Sequence, residues 1–379
     1  MVVIVTHTEM IKMVYGLPHH YTEHLKRLGH LAVISFFVLS GYLITYLLMA
    51  ERKKTGDISI KNFYIRRILR IWPLYFFTVL IGILLLPQLD FFTLPGQKSL
   101  NLSEHWGMIV LFLTILPNVA VKIYNPSPVP FLGPTWSIGV EEQFYLMWPV
   151  LVRFSKNILV VLFGVIIGYN AILFGAKAIF SYALLTSEGK LSIFIQIWEN
   201  FCISTMAIGG IMAWIKFNNK KALLNILYNP IVDAGTYILF IILVVLGVRF
   251  PIFHHEIYAF LFAVMILNLS SNPRSIVNFE NKLFNYLGKI SYGIYMFHIL
   301  SIYVVFRLVH IWLEPLQSVI SNPDHVGLAI SALVVLGSTS LVVLISTLTY
   351  HYLEEPLLSL KSKFSSIVSG DIAKDQKGQ

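Results

Sequence analysis

Two adjacent carboxylates, Glu141 and Glu142, sit in the middle of the stretch GPTWSIGVEEQFYLMWP, residues 133–149. The surroundings are apolar, and an ionisable side chain in such surroundings is a functional-site candidate by default. A carboxylate held out of water can serve as a general acid or base. On a helix, Glu141 shares a face with Ser137, Tyr145 and Trp148, whereas Glu142 lies about 100° round. The structural alternative is a carboxylate that pairs with an arginine or caps a helix start, with Pro134 in the first turn.

A second constellation is basic. In FYIRRILRIWPLYFF, residues 63–77, Arg67 and Arg70 are spaced i, i+3, and Arg66 and Arg70 i, i+4. Each pair shares one helical face. Forked guanidinium donors match phosphate oxygens, so a pair at a helix end can hold a phosphorylated ligand. Simple positive-inside anchoring is the plainer reading. Pro73 marks a turn or kink where this segment meets the membrane.

Histidines supply a base that works near neutral pH. His7, His30, His298 and His351 each lie at or near the edge of an apolar run. The group His19, His20, His24 lacks the spacing of a zinc site, and no HExxH occurs, so no metal is expected. Ser40 and Gly41, in FFVLSGYLIT, form a small-residue notch suited to close helix packing. In HYLEEPLL, Glu354 and Glu355 precede Pro356, where a helix would stop, and read as a cap or an ion pair. The single cysteine, Cys202, lies in an apolar run and reads as a buried, inert thiol.

The elements that must carry these residues are membrane spans. Hydrophobic residues make up 56% of the chain and charged residues 12%, and mean hydropathy is +0.73. A soluble domain carries roughly 25% charged residues. The net charge of +9 resides in short loops beside apolar runs, which argues for membrane topology and against nucleic-acid binding. Apolar runs fall near 31–50, 71–87, 106–121, 134–152, 158–176, 199–215, 230–248, 252–269, 286–306 and 328–350. A length of 379 residues accommodates roughly nine to eleven spans. The basic segments 51–70, 216–221 and 272–282 and the tail are expected in the cytoplasm. Their sidedness closes only if one run does not cross, and the short run 106–121, followed by NPSPVPFLGP, is the candidate. The first apolar stretch, MVVIVTH, is too short to span and reads as a truncated first span. The expected organisation is a membrane domain over 1–358 and a polar cytoplasmic tail over 359–379, with outer loops at 8–30, 88–105 and 308–327.

Five stretches, FFVLSGYLIT, FYIRRILRIWPLY, GPTWSIGVEEQFYLMWP, LGKISYGIYMFH and YLEEP, occur in the order found in the acyltransferase-3 family of integral-membrane O-acyltransferases. The chain resembles that family from His7 to about Leu358. The resemblance implies an all-α, polytopic transmembrane bundle of about ten spans in the bacterial inner membrane. It implies transfer of an acyl group, usually acetyl, from acyl-CoA to a hydroxyl of an envelope carbohydrate. It places a catalytic histidine at His7, a working carboxylate at Glu141, and the acyl-CoA phosphate clamp at Arg67 and Arg70. The family's arginine eleven residues before that histidine falls ahead of Met1, so the resemblance departs there. A polysaccharide or lipid-precursor transporter and a catalytically inactive membrane scaffold remain as alternatives.

Overall fold

The computed structural model describes residues 1–97, 100–124, 127–183, 189–313 and 323–364. Residues 365–379 of the expected tail and 314–322 of the expected outer loop lie outside these. All regular structure among the described residues is helical. The helices are α1 (Val2–Val14), α2 (Glu23–Thr55), α3 (Ile60–Leu80), α4 (Trp106–Leu113), α5 (Pro117–Ile123), α6 (Thr135–Phe154) and α7 (Ile158–Ala183). They continue with α8 (Gly189–Phe201), α9 (Ile203–Phe217), α10 (Lys221–Leu227), α11 (Pro230–Val245), α12 (His254–Ser271), α13 (Lys282–Leu313), α14 (Pro323–Thr349) and α15 (Glu355–Leu360).

Among the described residues, six helical stretches are long and apolar enough to cross a membrane, or seven if α10 and α11, bent by 55°, form one span. Their outward faces are apolar, as lipid requires: Leu84, Val160, Ile167, Leu336 and Leu344 are among the exposed side chains. The chain is a multi-pass membrane protein.

The run 106–121 is not one helix. It folds as α4 and α5, of eight and seven residues, broken at Ile115, which takes a left-handed φ of 59°. Neither piece approaches the roughly 20 residues of a span. Three local expectations are corrected. Of the turn or kink expected at Pro73, the turn is excluded, since α3 continues through it to Leu80. Pro356 does not stop the last helix; a π turn at Tyr350–Glu354 leads into α15, where proline occupies an early position that needs no N–H. The expected outer loop 8–30 shrinks to 15–22, because α1 runs on to Val14 and α2 begins at Glu23.

The chain divides into two compact units. The first comprises Met1–Ala32, Ile68–Ile138 and Asn281–Ser359. Its frame is α13 packed on α14, with α1 against both. A buried polar staple fixes α1: Lys12 Nζ donates to Glu9 Oε2 at 3.0 Å and to Ser331 Oγ of α14 at 2.7 Å, and Ser331 donates to Glu9 Oε1 at 2.6 Å. The backbone N–H of His20 completes the Glu9 carboxylate at 2.6 Å. The second unit comprises Val33–Arg67, Gly139–Glu280 and Leu360–Gln379. Here α9 packs on α7 and α12, and α11 on α12. The Ser40–Gly41 notch does what its size predicts. A Cβ on Gly41 would overlap the Met206 backbone of α9, and one on Gly209 would overlap the Val38 carbonyl of α2. Only hydrogen at both positions lets the two backbones touch.

Candidate functional site

Residues from four of the five motifs, together with His7, gather into two clusters, one in each unit. In the first unit, α1 carries His7 and α13 carries His298 and Tyr295. His298 is buried and His7 half-buried. The two imidazoles meet with His298 Nε2 and His7 Nδ1 3.2 Å apart and ring centroids at 5.1 Å. His298 Nδ1 contacts the Tyr295 carbonyl oxygen. A carbonyl only accepts, so His298 Nδ1 must carry the proton, and in the neutral ring Nε2 is then an acceptor. Nε2 therefore accepts from the Nδ1–H of His7. The neutral His7 ring is left with its lone pair on Nε2. One hydrogen-bond chain thus relates the tautomers of the two rings, and the His7 ring also bonds the Val3 backbone one turn back.

Tyr295 ties this pair to the GPTWS segment. Its hydroxyl lies 2.7 Å from Ser137 Oγ and donates to the Pro134 carbonyl at 3.1 Å. The other histidines are otherwise engaged. His30 stacks on Trp136 at 5.9 Å with rings 6° from parallel, and exposed His351 pairs with Glu355 at 2.8 Å. His298 was one of four equivalent candidates in the sequence, because nothing local shows which histidine the fold sets against His7.

The second cluster is built on α2, α3 and α6. Glu141 and Glu142 are both half-buried on α6. Tyr145 and Trp148, on the face shared with Glu141, are buried and fasten α6 to α2. The Tyr145 hydroxyl lies 2.6 Å from Ser40 Oγ, and Trp148 Nε1 donates to Thr45 Oγ1 at 2.9 Å. Glu141 is the foremost electrostatic neighbour of the Tyr145 hydroxyl, followed by Arg67 and, more weakly, Glu142. The Arg67 guanidinium lies over the rings of Phe63 and Tyr145 at 5.5 and 5.6 Å. Glu141, Tyr145, Ser40 and Arg67 thus form one polar group. Ser40, whose sequence setting favours packing over direct chemistry, also contributes a hydroxyl to it.

The three arginines of the basic segment separate. Arg66 is buried and bonded to Glu51 Oε2 at 2.7 Å and to the Phe364 carbonyl at 2.7 Å, so it is structural. Arg70, one turn beyond Arg67 on α3, is exposed and belongs to the first unit, where Glu354 and Tyr350 are its electrostatic neighbours. Its exposure leaves a forked donor for an anion.

Comparison with known proteins follows the same lines. A Staphylococcus aureus (strain COL) protein provisionally named an O-acetyltransferase is 25% identical over 358 residues, covering 89% of this chain and 54% of its own length. The O-acetyltransferase OatA of Staphylococcus aureus (strain NCTC 8325 / PS 47) is 26% identical over 289 residues, covering 71% of this chain and 45% of its own. The chain therefore spans about half the length of these curated relatives. No solved structure gives a significant match. The family model described as an acyltransferase domain matches residues 1–351, nearly the whole described chain, and by that match the chain belongs to the acyltransferase-3 family.

Proposed function

We propose that this chain is a membrane O-acyltransferase that moves an acyl group, most simply acetyl, from acyl-CoA to a hydroxyl of a carbohydrate in the cell envelope. The observation that carries the reading is the His7–His298 pair, with its tautomers related through the hydrogen-bond chain from the Tyr295 carbonyl. The chemistry needs a base that deprotonates an alcohol as it attacks a thioester. His7 Nε2 takes the hydroxyl proton as the oxygen attacks the thioester carbonyl. The new C–O bond forms, the C–S bond breaks, and the thiolate of CoA leaves with the proton returned from His7. His298 holds the ring in place and accepts from the Nδ1–H of the transient imidazolium. A thioester is already activated, so positioning dominates what the protein must add.

Arg67 and Arg70 are proposed to hold the CoA phosphates, and Glu141 to move protons or to orient a substrate through Tyr145 and Ser40. The bacterial cytoplasmic membrane is the proposed location, since the donor is made inside and the acceptor lies in the envelope. Nine crossings fit this arrangement if α6 and α12 are counted with the seven apolar stretches; α1, at 13 residues, is too short to make a tenth by itself.

The test is acyl transfer from radiolabelled acetyl-CoA in membrane vesicles, with envelope glycan as acceptor. His7→Ala is expected to remove transfer while the protein remains inserted and folded. Transfer unchanged in His7→Ala would overturn the reading.

A further inference from the structure

The two helices that carry the histidine pair stay in register beyond it. Eight residues past His7, at the C-cap of α1, is Tyr15, and eight past His298 on α13 is Phe306; their rings pack at 4.8 Å. This second level lies about 12 Å along the helices from the first. It is a different kind of surface. The Tyr15 hydroxyl meets the Tyr303 hydroxyl at 2.9 Å, and Tyr303 donates to the carbonyls of Phe91 and Thr93 at 3.0 and 3.1 Å. Those bonds hold the Phe91 segment against α13. Between Tyr15 and Phe91 lies the guanidinium of Arg307, 5.9 and 5.6 Å from the two ring centroids. Tyr15, Phe91 and Arg307 are half-exposed. The Nε–H of Arg307 is nevertheless buried and has no hydrogen-bond partner among the described residues. That nitrogen is out of a ligand's reach, but it leaves the guanidinium charge uncompensated by any hydrogen bond at Nε, while the half-exposed side chain can still be met by an anion.

We propose that Tyr15, Phe91 and Arg307 form a saccharide subsite, two helical turns from the His7–His298 pair, which takes a sugar bearing an anionic substituent. Aromatic faces stack on the C–H faces of a pyranose. The guanidinium fork matches a carboxylate or a phosphate on that ring or the next. The spacing sets the recognised sugar apart from the reacting hydroxyl, so specificity and chemistry occupy different levels of one helix pair. The proposal rests on the carbohydrate-acylation reading for its purpose, but binding can be measured without turnover.

The experiment uses the full chain in detergent free of anionic lipid. Binding is followed by calorimetry with tetragalacturonate as the carboxylate probe, galactose 1-phosphate as the phosphate probe and maltotetraose as the neutral one. At least one anionic probe is expected to bind about tenfold or more tighter than maltotetraose, as a charge-assisted hydrogen bond supplies. Arg307→Gln should abolish that preference and leave maltotetraose binding unchanged; Arg307→Lys, which keeps the charge without the fork, should retain part of it. Equal binding of charged and neutral sugars would overturn the proposal. So would a preference that survives Arg307→Gln, or displacement of the sugar by phosphatidylglycerol vesicles, which would make the site one for lipid phosphate. Failure here with His7-dependent transfer intact would leave the acyltransferase reading standing. Selective binding with no transfer would count against that reading alone.

Discussion

Arg66, Arg67 and Arg70 lie within five residues of one helix and hold three different sets of partners. Arg66 and Glu51 are buried together, with side chains 10% and 6% exposed. Removing one partner of such a pair strands the other charge and costs on the order of 3–5 kcal/mol. Arg66→Ala is therefore expected to lower the thermal midpoint in detergent sharply, without a selective effect on acyl-CoA. Arg67→Ala and Arg70→Ala are expected to leave that midpoint nearly unchanged and to raise the KM for acyl-CoA, each by about tenfold. A double variant that binds acyl-CoA as the parent does would remove the clamp from the scheme. His298 admits a finer test. His298→Ala should lower kcat by about a hundredfold, the scale of a misplaced general base. His298→Gln, whose amide oxygen can stand where Nε2 stands and accept from His7, should recover part of it. Equal loss in both variants would show that His298 only fills space. The sequence offered the residue types for all of this, and the i, i+3 spacing put Arg67 and Arg70 on one helical face. It could not say which arginine is satisfied internally, because Glu51 and Phe364 are distant in the chain from Arg66.

Helix periodicity made the α6 face legible: Glu141, Tyr145 and Trp148 line one side, as the i, i+4, i+7 pattern requires. The notch at Ser40–Gly41 was equally legible, since small residues in a bulky apolar helix have few other uses. Gly41→Leu is expected to abolish the close contact of α2 with α9 and to yield little folded protein. Gly41→Ala should cost about 2 kcal/mol or more, since the new methyl meets backbone that cannot turn aside. Local rules failed where tertiary packing outweighs them. Pro73 and Pro149 sit inside α3 and α6, because neighbouring helices at membrane depth can satisfy the freed carbonyls. The pairing of α1 with α13 was invisible for another reason: no local pattern encodes the register of two helices 291 residues apart. The staple on α1 gives that pairing a test of its own. Lys12→Met leaves Glu9 buried without its cation and should destabilise the protein strongly. Adding Glu9→Gln should restore much of the loss, as paired removal of buried charges does elsewhere. Thermal melts of the single and double variants would show the restoration or its absence.

Charge distribution and helix length together constrain how the chain threads the membrane. Seven Lys or Arg in 51–70 argue for that segment on the inner side, by the positive-inside bias. From there α3 leads out. If α4 and α5, too short to span, do not cross, α6 returns and puts 155–157 inside. Counting on through α7, α8–α9, α10–α11 and α12 then puts 218–220 and 272–281 inside as well, where Lys220, Lys221, Arg274 and Lys282 already argue for them. α6 and α12, at 20 and 18 residues, are long enough to take part. They fall below the apolar stretches because of Glu141–Gln143 and His254–Glu256, the kind of polar content that functional spans carry. Had α4–α5 crossed, every later basic loop would lie outside, against the positive-inside bias. The arrangement predicts a labelling pattern. Single cysteines replacing Lys54, Asn157, Lys220 and Asn281, each exposed, should react with a membrane-impermeant maleimide only after the membrane is opened. Cysteines replacing exposed Leu102 and Arg249 should react on intact cells. The buried native Cys202 should stay silent in both conditions. Labelling of the Asn157 position from outside would mean that α4–α5 crosses or α6 does not.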